Sequence, residues 1–287
     1  MKVALLHPGM MGSAVGAAVV AGGNACWWAS EGRSGATRER ATNDGLEDAG
    51  TLSNLAATTD IALSICPPEF AVDTARSFID AGFKGLYVDA NAVSPATARE
   101  IGDLVTAAGC RFVDGGIVGG PPRGHARTRL YLSGERTGDV PGPVEVANLF
   151  RNTALEAVVV DGGPGAASAV KVAYAAWTKG TSALLLNIRA LARVEGVEEA
   201  LLEEWSGSQP DLPTRSERAA AGAAPKAWRW VGEMEEIADA FAAAGLPDGF
   251  HRGAARFYER LAGFKDEERV TLDDVLAVLS EGRQHDS

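Results

Sequence analysis

The side chain whose type and position best suit proton transfer is Lys171, six residues beyond Gly165 and one turn into the apolar run Ala166 to Val194. A lysine works as an acid/base group when a desolvated pocket or a nearby cation lowers its pKa towards the working pH. The competing reading is a helix lysine that lays its stem on apolar surface and keeps its ammonium in water. Tyr174, three residues on and on nearly the same helix face, offers a hydroxyl to the same chemistry or packs as a core aromatic. Lys179 is eight positions on, about two turns away and rotated by roughly 80°. That offset fits a supporting or subunit-contact charge rather than the base.

A second constellation lies at the amino terminus. His7-Pro8-Gly9-Met10-Met11-Gly12 joins an apolar run to a helical pattern, and a glycine-rich turn in that context can hold a pyrophosphate on N–H groups at a helix start. Gly9 stands where a side chain would block the phosphate, and Gly12 where helix and strand pack tightly. The first glycine of the usual pattern is replaced by His7, and a plain strand-to-helix turn is the alternative. Ser30-Glu31-Gly32-Arg33-Ser34 follows at about the 20-residue distance where ribose is read. Arg33 flanked by Ser30 and Ser34 suits a 2′-phosphate, so NADP(H) is the expected cofactor; Glu31 keeps NAD(H) as the alternative.

Further on, Gly115-Gly116 and Gly119-Gly120 bracket a tight chain path that binds an anion or completes a strand turn. Arg123, His125, Arg127 and Arg129 come next, either to position a carboxylate or phosphate or as a solvated basic loop. Asn91 precedes Ser94-Pro95, which reads as a helix N-cap with proline at the first helical position.

These groups need elements to hold them, and the first half of the chain alternates short apolar runs with helical patterns, as βαβ units do. Strands are expected at Val3 to His7, Ala25 to Ala29, Ile61 to Ile65, Gly85 to Asp89, Phe112 to Asp114, Arg129 to Ser133 and Ala157 to Val160. Helices are expected at Met11 to Ala21, Ala36 to Asp44, Phe70 to Ala81, Pro95 to Ala107 and Pro143 to Asn152. After Gly165 the pattern is helical only. Ala166 to Val194 reads as one helix of about 40 Å that bridges two domains. Beyond it, helices are expected at Glu198 to Trp205, Lys226 to Ala244, Gly249 to Ala262 and Leu272 to Ser280, with Thr271 and Asp274 as a capping box for the last. Gly207 to Ala224 reads as an irregular helix or a mobile loop, and Arg283 to Ser287 as frayed. The fold class is therefore α/β, a mostly parallel sheet over residues 1–162 followed by an all-helical domain over 163–287.

With 287 residues and 46% hydrophobic content the chain supports two domains with substantial cores. Its net charge of −11 disfavours nucleic acid, whose binders need a basic face. No run approaches a membrane span and no secretory leader opens the chain, so a cytoplasmic protein is expected. Cys26, Cys66 and Cys110 are odd in number and far apart, and His7, His125, His251 and His285 lack ligand spacing, so neither a disulfide framework nor a metal site is expected.

Four motifs in order resemble the β-hydroxyacid dehydrogenase superfamily, which includes 3-hydroxyisobutyrate and 6-phosphogluconate dehydrogenases and, more distantly, imine reductases. They are Pro8-Gly9-Met10-Met11-Gly12, Ser64-Ile65-Cys66-Pro67-Pro68, Asp114-Gly115-Gly116-Ile117-Val118-Gly119-Gly120, and Gly165 six residues before Lys171. Lys171-Val172-Ala173-Tyr174 and Thr178-Lys179-Gly180 resemble a branch with a 6-phosphogluconate-dehydrogenase-like carboxy-terminal domain. The resemblance implies a Rossmann domain, a helical domain and an active site in the cleft between them. It implies cofactor contacts at Cys66, Pro67 and Pro68 and places Asn91 near the nicotinamide. Asp114 to Gly120, with Lys179, is implied to contact a small polar substrate, and Lys171 to act on its hydroxyl. It also implies a homodimer through the helical domain. Two positions depart from the pattern: Ala175 replaces an asparagine and Ala167 a glycine. Reduction of an imine with Tyr174 or water as proton donor, and nucleotide sensing without turnover, are the competing functions.

Overall fold

In the computed structural model, which describes residues 1–124, 126–135, 141–265 and 267–280, the chain divides into two compact units, Met1–Val172 and Ala173–Ser287. His125, His285 and the terminal stretch Arg283 to Ser287 lie outside the described residues.

The first unit is built on an eight-stranded sheet in the order β3-β2-β1-β4-β5-β6-β7-β8. The strands are β1 (Lys2–Leu5), β2 (Ala25–Trp28), β3 (Glu47–Asp48), β4 (Ile61–Ser64), β5 (Leu86–Asp89), β6 (Arg111–Val118), β7 (Thr128–Ser133) and β8 (Leu155–Val159). All neighbours run parallel except β6 and β7. Between the strands lie α1 (Met10–Ala21), α2 (Gly35–Asn43), α3 (Leu52–Thr58), α4 (Ala71–Asp80), α5 (Pro95–Ala107) and α6 (Gly142–Asn148).

Successive residues of a strand point to opposite faces, and here both faces are covered. Val3 and Leu5 pack with Val15 and Val19 of α1 and Val146 of α6. Ala4 and Leu6 pack on the other side with Leu55 of α3, Phe78 of α4 and Ile101 of α5. Burial on two faces is why the strands read as continuous apolar runs rather than alternating ones. The strand order reverses between β1 and β4, and a ligand crevice opens outside the carboxyl ends of the strands at such a switch point. At the start of α5 the Ser94 hydroxyl accepts the Thr97 N–H at 3.1 Å, with Pro95 at the first helical position.

Two elements have no counterpart in the sequence reading. β3 is only two exposed, charged residues on the sheet edge, and α3 is a seven-residue helix. A third difference matters for the site: β6 runs four residues past its expected end, so Gly115 and Gly116 are strand residues.

In the second unit, α7 (Ala166–Val194), whose first turns belong to unit one, is followed by α8 (Glu198–Ser208), α9 (Leu212–Ala223), α10 (Ala227–Ala243), α11 (Gly249–Arg260) and α12 (Leu272–Ser280). The bounds of α7 and α12 are those expected, and most of the ambiguous stretch Gly207 to Ala224 is α9. The capping box is present: Thr271 Oγ1 accepts the Asp274 N–H at 3.2 Å while the Asp274 carboxylate accepts the Thr271 N–H at 2.8 Å. Met234, Ile237, Tyr258, Leu261 and Leu276 form the buried centre. The boundary at Val172 falls ten residues beyond the expected one because the first two turns of α7 are anchored to β6. No helix among the described residues is long and apolar enough to cross a membrane.

Candidate functional site

The turn after β1 is shaped by two glycines with different tasks. A Cβ on Gly12 would stand 2.1 Å from the His7 carbonyl oxygen, so only glycine lets α1 start this close to the end of β1. A Cβ on Gly9 would meet nothing within 4 Å, and no side chain caps α1. The first-turn amides therefore open onto free space, which fits a pyrophosphate held by N–H groups and the helix dipole. Three residues that the sequence did not single out brace the turn. Arg40 donates to the Pro8 carbonyl at 3.0 Å, and the Ser13 hydroxyl bonds to Asp44. Arg123 grips the same Asp44 with two N–H groups, at 2.7 and 2.6 Å. That fork, with the Ser13 hydroxyl, holds the Asp44 carboxyl below the usual range against the opposing effect of burial.

Beside the turn is a cavity of about 330 Å³ whose lining includes Leu6, His7, Arg33, Phe70, Thr74 and Ser77. Arg33 reaches the Leu6 carbonyl at 3.4 Å, and Arg38 fastens its loop through the carbonyls of Ser30 at 3.0 Å and Arg33 at 3.3 Å. Of Ser30, Arg33 and Ser34, the two serines have partners within the chain. The Ser30 hydroxyl is taken by Asp48, and Ser34 caps α2 by accepting the Thr37 N–H at 3.3 Å. Arg33 is the member of the three that lines the cavity.

At the ends of β4 and β5, Asn91 is buried and its amide is spent internally. It accepts the Cys66 N–H at 2.6 Å and donates to Ser64 at 3.1 Å and Asp89 at 2.5 Å. Its side chain ties two strand ends together. Burial pushes the Cys66 thiol up to about 11, so this residue contributes its main chain and bulk rather than a thiolate. Pro67 is exposed, and Pro68 opens a short 3₁₀ turn to Phe70.

Asp114 stands opposite Asp89 in the pairing of β6 with β5. Its carboxylate is fully buried and accepts from the Ser133 hydroxyl (2.9 Å), the Gly165 N–H (2.9 Å), the Ser168 N–H (3.0 Å) and the Ser168 hydroxyl (2.5 Å). Ser133 in turn accepts the Ala167 N–H at 2.9 Å. Asp114 is thus the anchor of the α7 amino terminus, where a carboxylate also meets the positive end of the helix dipole. Gly165, at φ +99°, makes the turn into the helix.

The glycines that follow permit close crossings. A Cβ on Gly115 would lie 2.9 Å from the Asp89 carbonyl, and one on Gly116 would lie 2.6 Å from the Ala167 carbonyl and 3.0 Å from Lys171 Cβ. Half-buried Lys171 therefore rises beside Gly116, at the edge of the sheet where β1, β4 and β5 also end. Gly119 takes φ +120°, and the Gly120 carbonyl accepts the Thr128 hydroxyl at 2.6 Å. Of the basic cluster, Arg123 is committed to Asp44 and Arg129 to Glu156 at 2.8 Å, while Arg127 is exposed.

In the helical unit, Lys179 is buried against Glu233, with its ammonium 5.3 Å from the Trp230 ring centre. Tyr174 is exposed and Ala175 buried.

An open α/β sheet with an uncapped glycine turn at its switch point defines a dinucleotide-binding protein. Residues 2–139 match the NAD binding domain of 6-phosphogluconate dehydrogenase, and residues 192–261 match a domain of unknown function, DUF1932. The chain thus pairs an amino-terminal NAD-binding domain with a second domain of unassigned role. It is 28% identical over 173 residues to an uncharacterised 28.5 kDa protein of Methanothermus fervidus, a match that spans 60% of this chain and 64% of that one. It is similar over 92% of its length to 98% of MTH1747, a conserved protein of unknown function with structural similarity to 3-hydroxyacid dehydrogenases (TM-score 0.67, 26% identity). The Mycobacterium tuberculosis 3-hydroxyisobutyrate dehydrogenase, solved with L-serine, shares the fold at 17% identity (TM-score 0.70; 97% of this chain, 98% of that one).

Proposed function

We propose that the protein is an NADP(H)-dependent oxidoreductase that moves hydride between the nicotinamide and a small polar hydroxy or carbonyl compound, with Lys171 as acid/base. The observation that carries this reading is the contact of Gly116 with the first turns of α7, which brings the root of Lys171 to the carboxyl edge of the nucleotide-binding sheet. When bound, the nicotinamide supplies or accepts the hydride. The chain's own contribution is to hold the pyrophosphate on the α1 amides, to keep Lys171 at a fixed height above β6, and to deliver a proton from Lys171 Nζ to the substrate oxygen. In the reverse direction the same nitrogen takes the hydroxyl proton as hydride leaves the carbon. The commitment of Arg123 and Arg129 to Asp44 and Glu156 supports a substrate without a large anionic tail.

Arg33 supports NADP(H) over NAD(H) as the guanidinium of the ribose-side cavity. Fluorescence titration should show tenfold or greater preference for NADPH, which Arg33→Ala abolishes. Stronger binding of NADH, or an Arg33→Ala protein with unchanged NADPH affinity, would sink the assignment.

The helical unit is proposed to form a homodimer. Tyr174 (49% exposed), Trp177 (66%), Leu184 (46%) and Leu191 (62%) fall within roughly 100° of one another around α7. An apolar stripe of that length normally marks an interface. Light scattering should give twice the chain mass for the wild type and a smaller mass for Trp177→Glu; a dilution-stable wild-type monomer refutes the dimer.

A further inference from the structure

We propose that His7 is a binding residue for the dinucleotide, its neutral imidazole donating the Nε2–H to a phosphate oxygen of the bound cofactor beside the Arg33 guanidinium. The inference rests on the cofactor reading above and assigns a role to the side chain that stands where the phosphate-binding pattern has its first glycine.

Position 7 tolerates a side chain for a backbone reason. Among the described residues Asn152 is the non-glycine at positive φ, so His7 does not occupy the conformation that demands glycine. Pro8 directly after it confines it to extended backbone. A side chain is therefore allowed at this position, and His7 lines the 330 Å³ cavity together with Arg33.

The tautomer follows from what surrounds the ring. Nδ1 is buried and has no hydrogen-bond partner. Leaving a lone pair unsatisfied costs less than burying an unpaired N–H, so the proton belongs on Nε2. The charged groups lining the cavity are Arg33 and Asp73. Asp73 is largely solvated and pairs with Arg76 at 3.4 Å, so it does little to favour imidazolium. Burial, with the Arg33 charge second, lowers the His7 pKa to about 4. At neutral pH the ring is thus a donor without charge. Its complement is an oxygen that only accepts, and a dinucleotide brings two such groups near this turn, the pyrophosphate and the 2′-phosphate.

The test is the affinity of NADPH and NADH, by fluorescence titration, for the wild type, His7→Gly, His7→Phe and His7→Gln. His7→Gly and His7→Phe should weaken NADPH binding by about tenfold, a typical worth for one hydrogen bond to a charged acceptor. His7→Gln, which keeps an N–H donor, should recover most of that loss. An equal loss with NADH assigns the contact to the pyrophosphate, and an unchanged NADH affinity assigns it to the 2′-phosphate. ¹⁵N spectra of histidine-labelled wild-type protein, with the His7→Gln protein for assignment, should show the Nε2–H tautomer and a shift of that nitrogen on adding NADPH. The proposal is overturned by an Nδ1–H tautomer, by wild-type affinity in His7→Gly and His7→Phe, or by a loss in His7→Gln equal to that in His7→Gly. A wild type that binds neither dinucleotide overturns the cofactor reading itself, and so differs from all three.

Discussion

Replacing Lys171 with alanine is expected to lower kcat by about 10² to 10⁴, the usual contribution of a positioned acid/base, with NADPH affinity close to that of wild type. The separation of the two effects follows from placement. The cofactor is expected to rest on the α1 amides and the Arg33 cavity, whereas Lys171 stands above Gly116 on α7. A loss confined to turnover is what removal of a transition-state contact produces. Lys171→Arg should be nearly as poor, because a guanidinium does not release its proton near neutral pH. Tyr174→Phe should cost less. Steady-state kinetics with a carbonyl panel and an imine panel provide the check: near-normal turnover in Lys171→Ala with none in Tyr174→Phe would replace the lysine mechanism by reduction of a C=N bond. Tight NADPH binding with no turnover on either panel would favour a sensing protein.

Asp114→Asn is expected to lower the melting temperature by roughly 5 °C, corresponding to about 3 kcal/mol in a chain of this size. The carboxylate accepts four hydrogen bonds while fully buried, two from backbone N–H groups and two from hydroxyls. An asparagine amide would set its own N–H groups against some of these donors, leaving buried polar atoms unpaired. Asp103→Asn, an exposed acid on α5, serves as control and should melt as wild type does. Calorimetry at pH 7 measures both. Unchanged melting with lost activity in Asp114→Asn would return this residue to the substrate.

The elements that are long or carry their own stop signals were legible in the sequence. The full extent of α7 shows in a stretch that has no proline and no glycine but Gly180, and α12 is announced by Thr271 and Asp274. Short elements were not: β3 is two charged residues that join the sheet only through pairing with β2. The glycine motif after β5 signalled importance but not its kind. Gly115 and Gly116 serve close crossings inside a strand, a fact set by partners at Asp89 and Ala167 that no local pattern contains. The same limit governs charge. Arg123 and Asp44 are separated by 79 residues, and Lys179 and Glu233 by 54, so a basic residue read alone looks available for a ligand when its counter-ion is already in place. Ser168 carried a faint signal, since a hydroxyl three residues after Gly165 can serve a helix start.

The boundary between the two units falls after Val172, one residue past the proposed base. Inheritance can act on that arrangement piecemeal. A lysine that travels with the nucleotide-binding unit keeps its register to the sheet whatever helices are joined behind it, so the chemical step is portable while the remainder of the chain is free to diverge. A lineage can in this way exchange or rebuild its carboxy-terminal helices and acquire new substrates without reinventing proton transfer.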